Sequence, residues 1–180
     1  MSELRYARVE RERRFLLREL PPGLSVTDNH TQIFDNYITG TRLHLSKVRV
    51  PATRQWTWKL TQKFSPDASD LSRAVITDTY LTQYEYEVLS IFEGNEIRKN
   101  RYPYEYDGRS FAVDVYLGDL RALILAGVKF ETDEEMAGFE PPPFTVLEVT
   151  HDEMFTGARL VNLTSDEIRK ALAARASATG

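Results

Sequence analysis

Near the start of the chain, Val9-Glu10-Arg11-Glu12-Arg13-Arg14-Phe15-Leu16 sets Glu10, Glu12 and Arg14 two residues apart. In an extended strand alternate side chains share a face. These three, joined by Arg8, therefore project together, while Val9 and Phe15 project to the other side with Leu17 just beyond. At a rise of ~3.3 Å per residue, successive charges on that face stand about 7 Å apart. Two carboxylates so spaced can share a divalent cation, which is hard and prefers oxygen ligands. Alone, the same pattern also describes an edge strand with a solvated charged face.

The pattern recurs along the chain, which favours the first reading. Arg42 and His44 alternate with Leu43 and Leu45, and Lys59, Thr61 and Lys63 oppose Trp56, Trp58 and Leu60. Lys99 pairs in parity with Arg101, and Lys129 with Glu131. Asp114 is isolated opposite Phe111, Val113 and Val115, and Glu148 is isolated between Leu147 and Val149. One or two such strands are ordinary in an antiparallel sheet with a wet face. Seven, with charges of both signs, imply that the charged faces look at one another. The expected architecture is α+β: a closed antiparallel β-barrel of about eight strands with an ionic lumen and an apolar outer face packed by helices.

The bulk properties narrow the function classes. The 180 residues suit one domain with a real core, and 28% charged with 42% apolar residues is ordinary for a globular chain. A net charge of −4 does not suggest nucleic-acid binding by counterion release. Basic residues converging on one lumen can still give a local field opposite in sign to the net charge. The absence of cysteine excludes disulfides, thiolate catalysis and cysteine-held zinc. No apolar run is long enough for a membrane helix and no signal-peptide core is present, so the expectation is a cytoplasmic protein with no membrane partner. His30, His44 and His151 lack metal-ligand spacing, and no Gly-rich run precedes Lys-Ser or Lys-Thr.

Punctuation between these segments supplies the connections. Thr39-Gly40-Thr41 and Tyr106-Asp107-Gly108-Arg109 read as hairpin turns, 49–54 as a basic hairpin connection with Pro51, and 64–71 as a polar loop. Thr82-Gln83-Tyr84-Glu85 is a capping box opening a helix that Glu93-Gly94-Asn95 stops. The apolar run 117–126 reads as a short helix, and Asp133 to Ala137 as an acidic helical turn. Pro141-Pro142-Pro143 forces an extended segment. A second capping box at Thr164 to Glu167 starts a C-terminal helix over about 164–175, followed by a frayed tail at 176–180. The outer aromatics Trp56, Trp58 and Tyr84 fit either a core under helices or a homodimer face.

Glu10-x-Glu12-x-Arg14 resembles the ExExK signature of the CYTH superfamily, the triphosphate tunnel metalloenzymes, with arginine in place of lysine. The likeness extends in order through Tyr37 to His44, Lys59 to Lys63, Lys99 to Tyr102, Val113 to Gly118 and Glu148 to Asp152. It implies a tunnel barrel that binds inorganic triphosphate or a nucleoside triphosphate and hydrolyses it with Mg²⁺ or Mn²⁺. It implies Glu10 and Glu12 as the catalytic pair and metal ligands, with Asp114, Glu131 and Glu148 as further acidic candidates. Arg14, Arg42, Lys59, Lys99 and Arg101 would clamp phosphate oxygens, with Lys63 and Arg73 near the tunnel mouth. Triphosphate is a polyanion, so convergent Lys and Arg must replace its hydration.

Two positions depart from the family pattern. Where an alternating acidic strand A-E-V-E-F is common, this chain has Ala126-Gly127-Val128-Lys129-Phe130, so Gly127 and Lys129 stand for two carboxylates. Two unit charges 4 Å apart interact by about 4 kcal/mol at an effective dielectric near 20, so an acid-to-lysine exchange can turn attraction of a metal into repulsion. Lys129 then becomes a further phosphate ligand or a partner for Glu10 or Glu131. His44 replaces the more usual arginine and is a weaker phosphate clamp at neutral pH. The principal expectation is a metal-dependent triphosphatase. The alternatives are a polyphosphate- or nucleotide-binding barrel with weakened catalysis, an adenylate cyclase, and a purely structural barrel.

Overall fold

The charged alternating segments become the staves of a closed ring. The computed structural model describes residues 6–178. Its strands are β1 (Arg8–Leu16), β2 (Thr31–Ile38), β3 (Leu43–Val50), β4 (Gln55–Phe64), β5 (Arg73–Leu81), β6 (Gly94–Tyr106), β7 (Arg109–Tyr116), β8 (Ile124–Phe130) and the two-residue β9 (Leu147–Glu148). Helices are short apart from the last: α1 (Gln83–Leu89), α2 (Asp133–Ala137), α3 (Gly157–Leu160) and α4 (Ser165–Ala178). α4 thus runs past the expected 175, and of the tail only 179–180 lie outside the described residues.

The sheet runs β5-β4-β3-β2-β6-β7-β8-β1, and β1 pairs back onto β5 to close eight antiparallel strands. β1 closes the ring in two halves. Arg8 to Arg11 register against Ile76 to Arg73 of β5, and Arg11 to Leu16 against Phe130 to Leu125 of β8. Where β5 leaves the edge of β1, β9 replaces it, with Glu148 opposite Phe15. Closure removes the free strand edges that would otherwise invite pairing with another chain.

The turns follow their chemistry. Asp107 and Gly108 have φ of 48° and 70°, the pair of positive values that a two-residue hairpin loop needs. Thr82 caps α1 by accepting from the Glu85 backbone while the Glu85 carboxylate accepts from the Thr82 N–H. Thr164 and Glu167 do the same for α4.

Two apolar clusters fix the ring. Phe15, Tyr102, Phe111, Val113, Val128 and Phe130 form one on the outer face of β1 and β6–β8, where Phe139 and Phe144 of the proline-rich segment and Met136 of α2 cover them. Leu16, Ile97, Tyr116, Leu125, Phe155, Leu160 and Ile168 form the other, in which the segment through α3 and α4 packs against one end of the barrel. The outer face is therefore covered only in part by helices. Tyr80 and Tyr84 are exposed, as is the outer side of α1.

The expected helix over 117–126 is a single 3-10 turn at Gly118–Leu120 followed by the start of β8. Leu123, Leu125 and Ala126 are all buried. A strand covered on both faces loses its alternation and reads as a continuous apolar run, which periodicity cannot separate from a buried helix.

Candidate active site in the barrel lumen

Every barrel strand except β3 turns at least one Lys, Arg, Asp or Glu inward; β3 turns His44 inward and its Lys47 and Arg49 outward. Glu10, Glu12 and Arg14 of β1 face a cavity of about 720 Å³ with His44, Lys59, Lys63, Lys99, Arg101, Asp114 and Lys129. Nine Lys and Arg and six Asp and Glu line it, although the whole chain carries a net charge of −4. An eight-stranded barrel is ordinarily just wide enough for its side chains to fill. Here the inward residues are ionic and cannot pack dry, so the lumen stays open.

Glu10 is held on both oxygens. The Lys63 ammonium donates to Oε1 at 3.1 Å, and the Lys129 ammonium lies 2.5 Å from Oε2. Burial raises the pKa of this carboxyl, but the two cations outweigh it and bring it down to about 2. Glu12, one step along the same face, makes no ion pair or side-chain hydrogen bond among the described residues. Its carboxylate occupies the space over Gly127: a Cβ built there would stand 2.7 Å from Glu12 Oε1.

Asp114 forms a second, deeper cluster. Arg101 grips it through Nε at 2.6 Å and Nη2 at 2.7 Å, and Lys99 donates to it at 2.8 Å. Burial pushes the Asp114 pKa up, and Lys99 and Arg101 more than reverse that, to about 2. The same carboxylate holds Lys99 and Arg101 above their ordinary values. Its oxygens are committed to the two cations, so Asp114 orients them within the lumen.

Arg14 points inward, but its guanidinium donates to the Phe155 carbonyl at 2.7 Å and the Thr150 carbonyl at 3.0 Å, tying the end-closing segment to β1. Arg42 lies over the Phe64 ring at 4.3 Å and has no carboxylate partner among the described residues. His44 stacks on Tyr37 with ring centroids 5.0 Å apart. Burial lowers its pKa, as do the nearby lysines, against the opposing pull of Asp35.

Three expected site residues, Glu131 and Glu148 of the lumen and Arg73 of its mouth, do not line the cavity. Arg73 pairs in register with Arg11, on the outward parity, and its guanidinium engages Asp70 and Asp133. Glu148 sits opposite the outward Phe15, where Arg13 grips it through Nε at 2.8 Å and Nη2 at 2.6 Å. Glu131 falls one residue past the end of β8 and is exposed beside Glu135. These corrections share a cause: each residue sits at a strand end or on a two-residue strand, where alternation gives no parity.

Other lumen residues carry weak sequence signals. Asp35 on β2 accepts from the Ser46 hydroxyl, and Asp78 on β5 accepts from Thr61 at 2.5 Å and pairs with Arg8 at 2.7 Å and Lys59 at 3.5 Å. The isolation argument that flags Asp114 applies to both of them. Around Asp35, however, both parities of β2 carry apolar residues, and the face of Asp78 otherwise holds Ala74, Ile76 and Tyr80.

The donor set suits a hard cation in part. Glu10 and Glu12 offer carboxylate oxygens on one face, and Gly127 leaves the second room. No group of three or more His, Asp or Glu residues that could hold a metal ion forms among the described residues. Mg²⁺ typically keeps several waters and binds through one or two carboxylates together with substrate phosphates, which matches this lumen.

Comparison with known proteins agrees with the geometry. A protein named inorganic triphosphatase from Nitrosomonas europaea is 36% identical over 69 residues, covering 38% of this chain and 46% of that protein. Another of the same name, from Acetivibrio thermocellus, is 33% identical over 89 residues, covering 44% and 55%. The chain thus spans about half the length of the curated relatives it matches. No protein-family model matches the chain. The crystal structure of the inorganic triphosphatase NE1496 superimposes with a TM-score of 0.57 at 25% identity, covering 84% of this chain and 93% of that one. The chain therefore has the triphosphate-tunnel fold and is a homologue of proteins named inorganic triphosphatase.

Proposed function

We propose that this protein is a metal-dependent hydrolase of inorganic triphosphate, acting inside the barrel. The observation that carries the reading is the convergence of nine cationic side chains on one lumen in a chain of net negative charge, beside a carboxylate, that of Glu12, with no ion pair among the described residues. A cavity of that sign attracts a polyanion and replaces its hydration with charge-assisted hydrogen bonds.

Arg42, Lys59, Lys99 and Arg101 bind phosphate oxygens. Lys99 and Arg101 are held ready by Asp114, and phosphoryl transfer depends mainly on such positioning and charge stabilisation. Glu12, with Glu10 beside it, would hold Mg²⁺ or Mn²⁺, which supplies charge neutralisation and lowers the pKa of a coordinated water. Water oxygen bonds to the terminal phosphorus, the P–O bond to the bridging oxygen breaks, and pyrophosphate leaves with the bonding pair, while the proton the water gives up passes to the phosphate products or solvent. Glu12 accepts a hydrogen bond from the attacking water and orients it.

The test is orthophosphate release from tripolyphosphate, pyrophosphate and ATP under Mg²⁺ and Mn²⁺. Turnover of tripolyphosphate above the other two supports the reading. A second reading, a tunnel that binds triphosphate without cleaving it, is favoured by one observation: both oxygens of Glu10 are taken by lysines. A rise in Tm with tripolyphosphate and no orthophosphate release would select it.

A further inference from the structure

The two acid–base clusters of the lumen differ in depth. At Asp114 the carboxylate and Lys99 are nearly inaccessible, with side chains 9% and 13% exposed, and Arg101, 38% exposed, is fixed to the same carboxylate by two hydrogen bonds. At Glu10 the carboxylate is 10% exposed, whereas the Lys63 and Lys129 side chains are 42% and 60% exposed. The acid is anchored and its two cations reach it from the open lumen, each on a long flexible stem. The triad carries one net positive charge, and it covers both oxygens of one of the two acids that a metal would use.

We propose that the Lys63–Glu10–Lys129 triad excludes free divalent cation from the empty tunnel, so that metal enters only as the metal–triphosphate complex. This rests on the triphosphate reading above. A free dication entering near Glu10 meets two ammoniums already neutralising the carboxylate, and Glu12 alone is a weak site for it. Triphosphate brings several negative charges. The two ammoniums turn from Glu10 to its oxygens, Glu10 is uncovered, and the cation held by the phosphates gains both carboxylates. Lys129 is then a positioning residue whose partner exchanges between the empty and the loaded tunnel. The first residue of the departure, Gly127, contributes by leaving the Glu12 carboxylate free beside the triad.

The experiment is Mn²⁺ binding followed by electron paramagnetic resonance, without turnover, for the wild-type chain and for Lys129→Met and Lys129→Gln. Both substitutions leave Glu10 paired with Lys63, and the side chain replaced is mostly exposed, so the fold is expected to survive; circular dichroism checks this for each. The wild-type chain alone should bind Mn²⁺ weakly, and each variant should bind it at least about tenfold more tightly, since one unit of repelling charge has gone. Wild-type and variants binding Mn²⁺ alone with equal affinity would overturn the proposal. Tripolyphosphate is titrated separately by thermal shift without metal. Failure of that titration would count against the triphosphate reading, while the comparison of Mn²⁺ affinities would still decide the role of Lys129.

Discussion

Gly127 lies directly beneath the carboxylate of Glu12, and a Cβ added there would stand 2.7 Å from Glu12 Oε1. The neighbour it would meet is the far end of a flexible side chain, so the carboxylate can move aside at little cost to the fold. Gly127→Ala should therefore leave stability within about 0.5 kcal/mol while displacing the acid that orients water. A displacement of ~1 Å in a positioned group can cost on the order of a hundredfold in rate. Steady-state kinetics on tripolyphosphate should show a lowered kcat with an unchanged Tm.

Asp114 is predicted to act through structure before chemistry. Asp114→Asn leaves Lys99 and Arg101 crowded in a deep part of the lumen without their counter-charge. Removing one partner of a buried pair typically costs about 3 kcal/mol or more, equivalent here to a fall in Tm of roughly 6–12 °C. Differential scanning calorimetry reads this. A Tm equal to wild type would show that the cluster is solvated.

Two strongly depressed carboxyls of the lumen contribute to the acid limit. Glu10 and Asp114 stand at about 2 against ordinary values of 4.5 and 3.8. A carboxyl whose folded pKa is depressed contributes stability above its unfolded pKa and loses it as pH falls through the folded one. Their contribution should be complete above pH 4.5 and drain away towards about 2. Thermal unfolding across that window should show the loss, with a shallower slope for Asp114→Asn.

Glu148 separates outer from inner acids. It grips Arg13, which also donates to the Phe139 carbonyl at 2.6 Å and so fastens the proline-rich segment to β1. Glu148→Ala should cost about 1 kcal/mol of stability and leave tripolyphosphate turnover at the wild-type rate. A loss of turnover at wild-type stability would place this residue in the reaction.

Gly157 bounds the other end of the lumen. A Cβ there would stand 1.9 Å from the Tyr37 hydroxyl, so α3 or the ring must shift. Burial holds that hydroxyl well above its ordinary pKa, which marks it as neutral. Gly157→Ala should cost about 1–3 kcal/mol, as overpacking does, with Tm as the readout.

What the sequence made legible was parity. Strands such as β4 and β7 set apolar residues on one parity and charged or polar ones on the other, and β1 sets both its acids on one parity, so alternation gave both the barrel and the convergence of Glu10, Glu12, Lys59, Lys63 and Asp114. Parity failed where burial or shortness erased it. β8 is covered on both faces at Leu125 and Ala126 and read as a helix. Glu148 lies on a strand of two residues, too short to alternate, and its outward direction is set by Phe15 across the pairing. Asp35 and Asp78 were hidden because each stands alone among uncharged residues of its parity and finds its partner only on another strand: Ser46 opposite Asp35 on β3, Thr61 opposite Asp78 on β4, and Arg8 on β1. The Lys63–Glu10–Lys129 triad joins strands far apart in sequence, and only ring closure brings them together.

The most direct test of the account is orthophosphate release from tripolyphosphate by the wild-type chain and by Glu12→Gln, with Mg²⁺ and with EDTA. The account predicts turnover by the wild type with Mg²⁺, abolished by EDTA and reduced at least about a hundredfold in Glu12→Gln, with tripolyphosphate still raising the Tm of the variant. Equal release by wild type and Glu12→Gln, or release untouched by EDTA, would contradict it.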